Sequence, residues 1–181
     1  KSATLHMIKK QKPTTVNFED LDLFSFNLVV QEWNLEFIQL RPGRFSSCIS
    51  QFICEDFQLG YARFNIAVKQ EGLSPEGTWT FAFVNEVDMY WRNYKVNPRS
   101  VIIYAPGSKI NAVSEAHFEV MTFSITERYL QLISIKLGMA EVFDKIKSVD
   151  VLETQSALWD ELRIQIFKRM HSKTDEEVLR N

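Results

Sequence analysis

The sequence predicts a mainly β protein with α at its C-terminal end: an antiparallel barrel or sandwich followed by helices. Three observations carry that expectation. From Asn34 to Ile125, short runs rich in aromatic and β-branched residues recur at near-regular spacing. Turn signals such as Pro42-Gly43 and Ala105-Pro106-Gly107-Ser108 separate them. After Ser124 the apolar period lengthens from about two residues to about 3.6, the change from strand to helix. No long helical segment interrupts the strands, so a parallel sheet with crossover helices is disfavoured.

The first dozen residues carry Lys1, Lys9, Lys10 and Lys12 with few apolar partners and read as a mobile arm, drawn to residue 17. The chain does not begin with Met, and Met7 is a possible natural start. Phe18 to Trp33 mixes acids with Leu23, Phe24, Phe26, Leu28 and Val29, as a short helix or edge segment would. Strands are expected at Phe45–Cys54 and Phe57–Val68, then a loop over Gly72–Gly77. Thr78 to Phe83 is the cleanest strand, because Trp79, Phe81 and Phe83 alternate with small residues and share one face. Met89–Val96 and Ser100–Tyr104 follow, joined by Asn97-Pro98, and Ile110–Ser114 and Phe118–Ser124 complete the set.

Ser124-Ile125-Thr126-Glu127 has the spacing of a capping box, with Ser124 as the cap. Tyr129, Leu130, Ile133 and Leu137 then recur at helical spacing, and Gly138 stands where a left-handed cap belongs. A short helix is expected over Ala140–Ile146. The last helix, Thr154 to His171, repeats Leu158, Leu162, Ile166 and Met170 every four residues, with Trp159 and Phe167 widening the stripe. Ser172 to Glu177 is a polar connector. The resulting organisation is an arm (1–17), a barrel (18–125), a helical region (126–172) and a connector (173–181).

At 181 residues, 45% apolar and 24% charged, the chain has the composition of one folded domain. Its 21 Lys and Arg against 23 Asp and Glu give a net charge of -2, which is no footprint for the phosphate backbone of nucleic acid. No apolar run approaches the roughly 20 residues that span a bilayer, and no secretory pattern opens the sequence, so a cytoplasmic protein without membrane contact is expected. Cys48 and Cys54 lie in one expected strand about 20 Å apart, too far to bridge, and read as buried reduced thiols. The three histidines, His6, His117 and His171, lack ligand spacing, so no metal or cofactor is expected. No nucleophile elbow, phosphate-cradling loop or zinc motif is present. Glu115, His117 and Glu119 alternate near a turn, where solvated polar groups are the ordinary reading, and no enzyme is expected.

Two features remain. The aromatic side chains either fill the barrel as a packed core or leave a cavity for a small organic ligand. The candidate lining is Trp79, Phe81, Phe83, Trp91 and Tyr104, with Arg63 or Asn65 supplying polarity. The terminal stripe Leu158, Trp159, Leu162, Ile166 and Met170 either packs on the barrel or forms a two-fold interface between copies.

The stretches Gly77–Phe83, Trp91–Asn93, Val96–Gly107 and Phe118–Arg128 resemble the N-terminal effector domains of AraC-type transcription regulators, over roughly positions 34 to 170. The resemblance implies a cupin-like antiparallel jelly-roll barrel followed by C-terminal helices that commonly dimerise. It also implies a small-molecule effector in the barrel and a homodimer. DNA would be bound only through a separate C-terminal domain with two helix-turn-helix units, into which the connector after His171 would lead. Metal-binding cupins carry clustered histidines and a glutamate that this sequence lacks. The alternative is a free-standing cupin-like binding protein or enzyme of unknown substrate.

Overall fold

A computed structural model describes residues 14–30, 33–84, 87–97, 99–153 and 157–166. Strand β1 (Thr14–Leu21) leads into helix α1 (Leu23–Val29), whose cap is Asp22 accepting from the Ser25 backbone N–H at 2.8 Å. That hydrogen bond holds the Asp22 carboxyl below its ordinary value. The strands β2 (Leu35–Gln39), β3 (Ser47–Ile53), β4 (Phe57–Phe64), β5 (Val68–Leu73) and β6 (Thr78–Val84) follow. Next come β7 (Met89–Trp91), β8 (Tyr94–Val96), β9 (Val101–Tyr104), β10 (Lys109–Ser114) and β11 (Phe118–Thr126). Helices α2 (Glu127–Lys136) and α3 (Ala140–Ile146), the short β12 (Val151–Leu152) and a helix α4 over 157–166 complete the described chain.

The strands form two antiparallel sheets, ordered β1-β3-β4-β11-β6-β9-β12 and β2-β5-β10-β7-β8. The sheets face each other across the main core, which contains Phe26, Phe37, Phe64, Val68, Trp91, Ile102, Tyr104 and Phe118. This is an antiparallel barrel with C-terminal helices, as the pattern predicts, and of the jelly-roll kind that the resemblance implies.

Several boundaries differ from expectation. The segment assigned to an arm is already strand from Thr14, paired with β3 from Thr14↔Ile53 onward; residues 1–13 lie outside the described residues. The expected strand Met89–Val96 is a hairpin, β7 and β8, because Arg92 and Asn93 adopt positive φ of 47° and 70° and reverse the chain. The expected strand Phe57–Val68 breaks after Phe64, and a new strand, β5, starts at Val68 and runs through Gly72 and Leu73 of the expected loop, because residues 68–72 pair on both sides, with β2 and β10. Ser124 is not the helix cap. It lies buried in β11 and shares a 2.8 Å hydrogen bond with Thr80 Oγ1, while Thr126 caps α2 by accepting from Tyr129 N–H. Gly138 does end α2: at φ 67° its N–H reaches Ile135 O, and Met139 N–H reaches Ser134 O at 2.7 Å. Cys48 and Cys54 are free thiols and only half-buried.

The helical region folds back on the larger sheet. Trp79, Ile103 and Ile125 on its outer face pack against Phe143 of α3 and Tyr129, Leu130 and Ile133 of α2. Trp159 of α4 packs against Phe83, Val101 and Met121 of the same face. Strand β12 adds to the sheet edge beside β9. Both faces of this sheet are therefore covered. Among the described residues no helix is long and apolar enough to cross a membrane.

Candidate functional site

Strand parity decides which side chains see the barrel interior. On β6, Thr80, Ala82 and Val84 point inward, so Trp79, Phe81 and Phe83 point outward under α2, α3 and α4. The expectation that these three aromatics line a ligand cavity is corrected. The face that alternation picks out is real, but the helices cover it and the thin face lines the barrel. Arg63 is also outside the interior: with Asp20, Cys48, Asn65, His117 and Glu119 it borders a separate polar cleft of about 520 Å³. Glu115 is exposed in the turn before β11, and Glu119 lies 3.8 Å from Arg163 of α4. Beside it, burial and then the Glu119 charge push the Tyr61 phenol up to about 12.

Inside the barrel is a cavity of about 100 Å³. Its apolar walls include Phe26, Trp33, Phe37, Phe64, Ile110 and Phe118. Small residues make the room. Ala82 stands where a larger side chain would close the space, and a Cβ on Gly60 would run into Thr122 Oγ1. Tyr104 is the one predicted residue that lines the cavity. Trp91 stands behind it, with ring centroids 4.9 Å apart and planes at 85°, and Trp33 meets Tyr104 edge-on at 6.0 Å. The Arg92 guanidinium covers Trp91 from outside, 4.9 Å from its centroid, held by Asp150 at 2.6 Å.

Four polar side chains point into this space, Gln51 of β3, Gln70 of β5, Tyr104 of β9 and Thr122 of β11, while Tyr61 borders it but turns its phenol to the outer face, toward Glu119. Gln70 is 8% and Tyr104 6% exposed. None of the four has a side-chain hydrogen-bond partner among the described residues. Their polar atoms are not sealed off as the unpaired Ser100 and Ser114 hydroxyls are, so they can bond to a ligand in the cavity. Burial pushes the Tyr104 phenol well above its ordinary value, so it stays a neutral O–H able to donate and accept. Among the described residues no acidic, basic or histidine side chain lines the cavity.

Sequence reasoning missed Gln51, Gln70 and Thr122. Their signal was a polar residue in phase with apolar neighbours, as in Ile49-Gln51 and Val68-Gln70, and it becomes readable only once the inward phase is known. A cupin-type metal would need imidazole and carboxylate donors, and the described lining of this interior holds neither. Among the described residues no group of three or more His, Cys, Asp or Glu is placed to hold a metal ion.

The stripe predicted on the last helix divides. Trp159, 3% exposed, is seated on the barrel and is not free for a partner, and half-buried Ile166 packs beside it on the outer wall. Leu158 and Leu162 remain exposed; Met170 lies outside the described residues. A second exposed apolar set, Leu132, Ile135, Leu137, Met139 and Val142, belongs to α2, α3 and their junction.

No protein-family model matches the sequence, and no curated protein matches it. Among solved structures the chain is similar to the AraC-like transcriptional activator CuxR, with a TM-score of 0.56 and 14% identity over 93% of this chain. The match covers 62% of that activator, so this chain spans less than two thirds of its length. Smaller parts resemble the cupin domain of Schizosaccharomyces pombe Cnp3 (TM-score 0.33, 10% identity, 59% of this chain and 72% of that one). KdgF from Halomonas sp. is similar to about the same degree (TM-score 0.32, 13% identity, 51% and 86%). The likeness to CuxR is one of fold: the protein is an antiparallel jelly roll with C-terminal helices, similar over nearly its whole length to that AraC-like activator.

Proposed function

We propose that this chain is the sensory and dimerisation module of an AraC-type transcription regulator. The barrel takes up a small effector, and the C-terminal helices present separate DNA-binding domains to two half-sites. The observation that carries the reading is the cavity, in which four polar side chains without partners face an otherwise apolar, aromatic space. The likeness to CuxR over barrel and helices together supports it. In this reading the module binds its ligand without transforming it, in keeping with a lining that among the described residues holds no His, Cys, Asp, Glu or Lys.

The link between cavity and helices is short. Thr122 faces the cavity from β11, while Met121 and Phe123 on the same strand face the helices. An effector that moves β11 or β9 shifts the seat of Trp159 and Phe143. It acts allosterically only if it binds one seating better than the other. Dimerisation is assigned to the exposed apolar side chains of α2 and α3 together with Leu158 and Leu162. Sedimentation velocity at micromolar concentration tests this: a dimer is expected, and a monomer across that range refutes the dimerisation role. A ligand screen read by thermal shift tests the sensory role. Stabilisation by a compact ligand that is lost in Ala82→Leu is the supporting result.

A further inference from the structure

The chemistry of the cavity wall restricts what it can hold, and the restriction rests on the sensory reading above. A charged ligand would leave water without gaining a counter-charge, since among the described residues no Asp, Glu, Lys, Arg or His lines the space. The Arg92 guanidinium lies against the Trp91 ring and is already paired with Asp150 at 2.6 Å. A pure hydrocarbon fits no better, because it would leave the Gln51, Gln70, Thr122 and Tyr104 polar atoms without partners. The two carboxamides each offer an N–H donor and a C=O acceptor, and the two hydroxyls can play either part.

From these groups we infer that the barrel recognises a compact, uncharged molecule whose apolar body carries both a hydrogen-bond donor and an acceptor, such as a small amide, alcohol or phenol. The apolar part would rest on Phe26, Phe37, Phe64 and Phe118, and its polar end would meet Gln70 and Tyr104. Size adds a second restriction. A cavity of about 150 Å³ is known to admit benzene, and this one measures about 100 Å³. The ligand is therefore of roughly that class or smaller.

The test uses the whole 181-residue chain and four probes of nearly equal size: butyramide, butyrate, butylammonium and benzene. Binding is read by thermal shift and by the emission change of the buried tryptophans. Butyramide is expected to bind at least tenfold more tightly than each of the others. Gln70→Leu is expected to weaken butyramide about tenfold while leaving benzene unchanged or improved, a split that mere loss of structure would not produce. Thr122→Val serves as the second variant should Gln70→Leu fail to fold, with the same split expected. If butyrate or butylammonium binds as well as butyramide, the charge restriction is wrong and the barrel remains a ligand site. If benzene matches butyramide and neither variant separates them, the polar groups do not recognise the ligand. If none of the four binds, the barrel is not a small-molecule site and the sensory reading falls with the inference.

Discussion

Replacing Trp159 by alanine separates two ways of reading the last helix. If the indole were part of an interface between copies, its loss would dissociate the dimer and leave each copy as stable as before. The structure instead seats it on Phe83, Val101 and Met121 with 3% of its surface exposed. Trp→Ala at such a site costs about 3–5 kcal/mol. The buried indole N–H has no partner, so removing it relieves about 1 kcal/mol and the lower end applies. A loss of about 3 kcal/mol corresponds to a fall of roughly 6–12 °C in Tm for a domain of this size. Leu158, one residue earlier and 56% exposed, is the control: Leu158→Ala is expected to stay within about 0.5 kcal/mol. Urea denaturation followed by tryptophan emission and far-UV ellipticity gives both numbers, with sedimentation velocity on the same samples. A Trp159→Ala protein that loses less than about 1 kcal/mol, or that turns monomeric at unchanged stability, would refute the seating.

Three other outcomes follow from the same geometry. Ile135→Glu combined with Leu162→Glu alters only exposed positions, 66% and 37% exposed, so a folded monomer of unchanged Tm is expected; an intact dimer by sedimentation would remove these side chains from the interface. Because burial raises the Tyr104 phenol, the folded state holds its proton where the unfolded chain releases it. Its stabilising contribution is thus complete below about pH 10 and is lost above that, at up to about 1.4 kcal/mol per pH unit. Urea midpoints at pH 9 and pH 11 are expected to fall less in Tyr104→Phe than in the parent, and equal slopes would contradict this burial. Asn27 ties α1 to β2, accepting from Phe37 N–H at 2.9 Å and donating to Phe37 O at 3.4 Å, and Phe26 and Val30 beside it wall the cavity. Asn27→Ala is expected to speed ligand release severalfold in stopped-flow fluorescence with a smaller change in affinity, and an unchanged rate would mean that ligand does not pass α1.

How much of this was legible in the residues differs between fold and site. The strands over 47–64 and 101–126, the Gly138 helix end and the switch to helices were legible because they depend on local chemistry: β-branched runs, turn residues and periodicity. The Met89–Val96 hairpin was not, since Arg92-Asn93 is a weak turn signal beside the usual Asn-Gly. The cap fell two residues late for a related reason. Ser124 begins the capping-box pattern and Thr126 does not, but a distant partner, Thr80, takes the Ser124 hydroxyl and the cap passes to Thr126.

The site was misread for a deeper reason, and it concerns what alternation can say. Period two in Thr78 to Phe83 establishes that one face is large and the other small, but both faces of this sheet are buried, so size does not tell inside from outside. In a closed barrel without covering helices, the large face would have to point inward to fill the space. Here the helices require a large outer face to pack on, which frees the inner face to be Thr80, Ala82 and Val84. The same substitution pattern that gives Trp79 and Phe83 a helix to bury against therefore opens the cavity that Gln51, Gln70, Tyr104 and Thr122 face. Filling it from within, by Ala82→Leu, is accordingly expected to abolish ligand uptake without unseating α2, α3 or α4. Covering helices and an open interior are two consequences of one alternating strand, and only the three-dimensional phase of that strand distinguishes them from a packed core.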